Sequence, residues 1–138
     1  MTITKHAALL LTTCVALVGL GHAQMDTTIK AQVPFSFVAN STTMPASECT
    51  IQIMVNGRTA LSISCGTQHA FAVPIADVSA NARKTTALVF HQYGDHFFLT
   101  SIKRQGGTGY QLRTGSVERE LQVRNVPWQV FTLLASAK

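Results

Sequence analysis

Two alternating runs on either side of Asn56-Gly57 constrain this chain more than any other feature. From Glu48 to Val55 and from Thr59 to Cys65, polar and apolar residues take turns. That period of two belongs to a strand with one buried face; on a helix it would scatter the apolar residues around the axis. Asn-Gly between two such runs is a strong short-range hairpin signal.

The register can be argued from the faces. A two-residue loop at Asn56-Gly57 would pair Cys49 with Ser64 and spread apolar residues over both faces. A loop with an odd residue count puts Cys49, Ile51, Ile53, Val55, Leu61, Ile63 and Cys65 on one face, with a bulge at Gly57 supplying the extra residue. If the loop is Asn56 to Arg58, Cys49 lies directly opposite Cys65, at a Cα separation of about 4.5–5.5 Å that suits a disulfide. If the loop moves back by one residue, the faces are kept and the cysteines become diagonal neighbours. We expect the Cys49–Cys65 bridge, contributing on the order of 3 kcal/mol for a loop of about 15 residues. Two free buried thiols are the alternative, and a metal pair would need a CxxC or matching His spacing that is absent.

Other strands follow by the same signals. Val33, Phe35 and Phe37 alternate with Pro34 and Ser36, and Pro34 sends this strand to an edge or to its own start. Gln68 to Val73 reads as a strand with His69, Phe71 and Val73 on one side. Thr85 to Tyr93 and His96 to Lys103 form a second hairpin around the turn Gly94-Asp95. Its two-residue loop places Leu88, Phe90, Phe97 and Leu99 on one face. The other face carries Val89, His91, Tyr93, His96, Phe98 and Ile102, so the hairpin should be covered on both sides. A closing strand spans Val126 to Ala135, with Trp128, Val130 and Leu134 on one side. The expected fold is a single-domain, all-β antiparallel sandwich or small barrel of about seven strands, with one short helix near 115–123. Ser116 should cap that helix, and Glu118 and Glu120 should form a solvated first turn. Phe35, Phe37, Phe90, Phe97, Leu99 and Trp128 are the expected core.

The N-terminus reads as an address. Lys5 and His6 precede an apolar run from Ala7 to Leu20, and Gly21-His22-Ala23 offers small residues before a cleavage point. Residues 1–23 are therefore expected to be a secretory signal peptide, 24–30 a flexible mature N-terminus and 31–138 the β domain. The apolar run is short of the roughly 20 residues that cross a bilayer, so no transmembrane segment is expected after signal removal. Removing 23 of the 138 residues leaves 115, with ten basic and six acidic side chains and a net charge of +4. Cys49 and Cys65 remain as an even pair in an oxidising compartment, periplasmic or extracellular.

Charged residues make up 12% of the chain, against about 25% ordinarily. Six carboxylates supply few acids, bases or hard-metal ligands, which counts against an enzyme. The densest chemistry is at one hairpin tip, where His91, Tyr93 and His96 share a face beside Asp95. His91 and His96 are candidate metal ligands, or one of them a general base. They are diagonal rather than opposed, and Asp95 is equally a turn residue. Gly106, Gly107 and Gly109 lack the Lys-Ser/Thr of a phosphate loop, and no GxSxG occurs. No motif asks for a cofactor. The basic residues Arg83, Lys84, Lys103, Arg104, Arg113, Arg119 and Arg124 lack the aromatic interleaving of a nucleic-acid surface, so no nucleic-acid partner is expected.

Val33-Pro34-Phe35-Ser36-Phe37, Met44-Pro45-Ala46 and the run from Leu88 to Leu99 resemble a group of short exported bacterial proteins. In that group a V-P-F-x-F strand precedes an L-P-A-G-x-Y hairpin entry and an L-V-F-x-R-Y-G-D-x-Y-F-L hairpin. An E-R-E-L segment, here Glu118 to Leu121, also recurs. Ser47-Glu48-Cys49 stands where the group has G-x-Y, His91-Gln92 replaces its x-R pair, and the cysteine pair is particular to this chain. No activity is attached to that group, so the resemblance implies fold and export. The residues favour an exported, non-catalytic interaction or structural module whose partner is a protein or a surface polymer. The alternatives are a small-ligand or metal-binding protein using the His91/Tyr93/His96 face, and a small secreted hydrolase.

Overall fold

The fold is given by a computed structural model that describes residues 27–78, 85–106 and 108–137. The expected signal peptide over 1–23 lies outside these residues, as do Gly107 and residues 79–84. Among the described residues there are eleven strands and one helix. They are β1 (Thr27–Val33), β2 (Phe37–Ala39), β3 (Thr42–Met44), β4 (Ser47–Val55), β5 (Thr59–Cys65), β6 (Gln68–Ala72), β7 (Ala76–Val78), β8 (Thr86–Tyr93), β9 (His96–Lys103), β10 (Gly109–Gln111), α1 (Ser116–Val123) and β11 (Gln129–Ala137). No described helix is long and apolar enough to cross a membrane.

The strands follow the order β3-β2-β9-β8-β11-β1-β4-β5-β6, with β10 joining β9 to β7. The ladders are antiparallel except between β2 and β9. The path curls until its ends approach, and the Asn40 side-chain amide donates to the Phe71 carbonyl across the seam. The result is a nearly closed, all-β barrel of nine strands. Curling hides most of the backbone edge that an open sheet would expose.

The first hairpin has the expected three-residue loop. Val55 pairs with Thr59 around Asn56-Gly57-Arg58, and Cys49 pairs with Cys65. Gly57 has φ of +73° there, a conformation that a Cβ would strain. The apolar face of this hairpin is buried except for Val55 beside the turn. The second hairpin keeps its two-residue turn, with Tyr93 paired to His96 and Gly94 at φ +60° ahead of Asp95.

Seven strands exceed three residues. The additional four, β2, β3, β7 and β10, are three residues each and too short to show a period. The expected strand from Val33 to Phe37 is broken. Val33 ends β1, Phe37 starts β2, and Pro34, which cannot donate, lies between them. Most of the expected flexible segment is instead strand β1, laddered on both sides by β4 and β11. Its inward residues are Ile29, Ala31 and Val33, a weak apolar signal that two neighbours make sufficient.

In the second hairpin Phe90 pairs with Leu99, but Val89 pairs with Ser101, so Thr100 is an extra residue in β9. Its hydroxyl donates to the Val89 carbonyl and its own carbonyl accepts the Leu112 N–H. This bulge turns Ile102 into the core beside Leu88, instead of outward as a regular ladder would. Phe35 stacks on Phe97 at 3.8 Å and meets Phe90 edge-on at 5.1 Å. Phe131, Leu133 and Ala135 of β11 pack against this core. Trp128, Val130 and Leu134 face outward, so Trp128 is not a core residue.

Candidate functional site

Helix α1 lies over the outer face of the β8–β9 hairpin, and a carboxylate holds it there. Glu118 is 2% exposed. Its Oε1 accepts the Tyr93 hydroxyl at 3.1 Å and lies 2.7 Å from His91 Nδ1. The Tyr93 oxygen in turn accepts Gln122 Nε2 at 3.1 Å. The first turn holds Glu118 alone of the two, and Glu118 is not solvated; Glu120 lies one turn on, paired with Arg124 at 2.6 Å on the exposed side. Nor is Ser116 the cap. Gly115 occupies that position and no side chain bonds there.

As a carboxylate Glu118 only accepts, so His91 carries its proton on Nδ1 and directs Nε2 away from the pair. Burial raises the Tyr93 hydroxyl above its ordinary 10.0; Gln122 works against that shift, and the Glu118 charge and hydrogen bond add to it.

The chain leaves α1 through a left-handed residue, Asn125, at φ +55°. Asn125 N–H returns to the Gln122 carbonyl and Val126 N–H to the Leu121 carbonyl, the pattern of a Schellman stop. Pro127 then sets Trp128 against the hairpin tip. The indole lies 4.5 Å from the His91 ring and 6.2 Å from Tyr93, yet remains 51% exposed. Two shallow grooves meet at Pro127 and Trp128, one also lined by Gln92, Gly94 and Gln129, the other by Gln122, Asn125 and Val126.

Of the sequence candidates, His91 and Tyr93 come together on Glu118. His96 is exposed at the start of β9, and Asp95 is exposed in the turn. Among the described residues no group of three or more His, Cys, Asp or Glu side chains could hold a metal ion. Cys49 and Cys65 are buried, with sulfurs 2.13 Å apart, at bonding distance. Ser64 and His69 hydrogen-bond at 2.9 Å on the exposed face of the β5–β6 hairpin, and neither lines the two grooves at Trp128. A separate cavity of about 120 Å³ lies under the start of α1, floored by Val38, Phe98 and Leu99 and edged by Arg113.

Sequence reasoning missed Glu118, Gln122 and the exposed setting of Trp128. The available signal was the spacing of Glu118 and Gln122, four apart and so on one helix face. Comparison of the chain with protein-family models, with curated proteins and with solved structures finds no match.

Proposed function

We propose that the chain is an exported, non-catalytic interaction module that recognises its partner through the barrel rim around Trp128. The observation that carries this reading is a half-exposed indole held against His91, which is itself tied to buried Glu118. An exposed tryptophan gains little for folding, whereas one fixed in place presents a large surface with little entropy left to lose on binding. Export is supported by the apolar run from Ala7 to Leu20, by a cysteine pair at bonding distance, and by the resemblance to exported bacterial proteins.

The test is cosedimentation with isolated bacterial envelopes. Protein recovered after export should begin at Gln24 by mass and should pellet with the envelopes. Trp128→Ala should stay in the supernatant while keeping its circular dichroism and melting temperature. If the parent protein also stays in the supernatant, the interaction reading fails.

A further inference from the structure

We propose that the ligand of the Trp128 rim is a neutral glycan, an assignment that rests on this rim being the recognition surface. The two grooves beside the indole have volumes of about 210 and 380 Å³. The second is at the lower end of small-ligand clefts, which run about 300–1,000 Å³, and the first is smaller than that. Neither groove is lined by a charged side chain. Their polar side chains are the amides of Gln92, Gln129, Gln122 and Asn125. Of the charges that adjoin the lining residues in sequence, Arg124 is paired with Glu120 on the helix, and Asp95, exposed in the turn after Gly94, is an anion that would repel an acidic ligand.

Amides suit hydroxyl ligands because each amide, like each hydroxyl, both donates and accepts. Three of the four are already oriented. Gln129 Nε2 donates to Gln92 Oε1 at 2.8 Å, and Gln92 Nε2 donates to the Gly94 carbonyl at 3.0 Å. Gln122 Nε2 donates to Tyr93. Gln129 Oε1, Gln122 Oε1 and the second N–H of each amide are left for a ligand. The indole supplies the other half of the match. Its face is negative, and the ring C–H bonds of a pyranose present positive hydrogens to it. Trp128 is backed by His91 at 4.5 Å, so the platform is set before the ligand arrives.

Other partners fit less well. An anionic polymer would find no unpaired cation lining either groove. A protein anchor favours a dry apolar pocket, and these grooves are open and amide-lined. The exposed apolar residues that could serve such an anchor, among them Val123, Val130 and Leu134, line neither groove.

Trp128 is the single tryptophan of the chain, so its fluorescence reads this site alone. Cellohexaose, chitohexaose and maltohexaose are the neutral probes, with hexagalacturonate as the charged one. We expect a saturable emission shift with at least one neutral hexamer, and release of the protein from envelopes by that same hexamer. Ligand-observed NMR should show binding about tenfold weaker for Trp128→Ala, and Gln129→Ala should weaken it while melting like the parent. If no neutral hexamer saturates and envelope binding persists, the glycan assignment falls and the interaction reading stands. If envelope binding is also absent, both fall. Equal binding of hexagalacturonate, or hexamer binding unchanged in Trp128→Ala, would likewise overturn the assignment.

Discussion

Glu118 Oε1 lies 2.7 Å from His91 Nδ1, which joins a helix to a strand residue 27 positions earlier. The same oxygen takes the Tyr93 hydroxyl, so one buried carboxylate fixes α1 over the β8–β9 hairpin. Glu118→Ala would leave buried Tyr93 without its acceptor and would free both His91 and the helix. A loss of about 2 kcal/mol is expected in urea unfolding, from the usual cost of deleting a charged hydrogen-bond partner. Glu118→Gln keeps an acceptor and should lose less. Because His91 backs the indole, both variants should also alter the Trp128 emission of the folded protein; an unchanged spectrum would separate the helix clasp from the platform.

Cys49 and Cys65 face each other in the β4–β5 ladder with a Cα separation of 4.3 Å. Both side chains are buried in the barrel, so reductant should act slowly on the folded protein and fully only in denaturant. Intact mass should then rise by two hydrogens. The double variant Cys49→Ala, Cys65→Ala should unfold at lower urea, with a loss on the order of 3 kcal/mol. No mass change on full reduction would refute the bond.

The bridge was legible because seven residues on one face fix the parity of the loop, and parity nearly fixes the cysteine pairing. The second hairpin was legible only as far as its bulge. Nothing in Phe98-Leu99-Thr100-Ser101-Ile102 announces that Thr100 is skipped; the cause is distant, in Leu112, whose N–H takes the Thr100 carbonyl. Strand β1 was hidden for a related reason. Its alternation of Ile29, Ala31 and Val33 is weakly apolar, and it is held by ladders to β4 and β11, which are far from it in sequence. Glu118 could not be placed because charge on a short helix normally faces water, and only the docking of α1 reveals the hydroxyl and imidazole waiting for it.

Tyr93 gives the fold a dependence on alkaline pH. Its hydroxyl titrates above 10.0 in the folded protein, chiefly because burial disfavours the phenolate. The folded state therefore holds this proton more tightly than the unfolded chain. The stabilisation is complete below the unfolded value and is lost as pH rises through the folded one. Urea midpoints measured upward from pH 9 should fall more steeply for the parent than for Tyr93→Phe, which has no proton to lose there. Parallel curves would remove Tyr93 as the source.

The two faces of β11 give the last prediction. Alternation groups Trp128, Val130 and Leu134 on one side, and Trp128 is expected in the core, yet Trp128 is 51%, Val130 57% and Leu134 68% exposed. The even set faces outward because Val130 pairs with His91 and Leu134 with Ala87, on the side of the sheet that carries α1. The odd set, Phe131, Leu133 and Ala135, meets the core that Phe35 and Phe90 occupy. Leu134→Ser should therefore change stability by no more than about 0.5 kcal/mol, the usual range for an exposed site. Leu133→Ser, one residue away, should cost about 2–3 kcal/mol, because it removes packed methyl groups and brings a hydroxyl to the core. Urea unfolding of the pair checks the register directly. If Leu134→Ser were the damaging change, β11 would have to face the other way, and Trp128 would return to the interior.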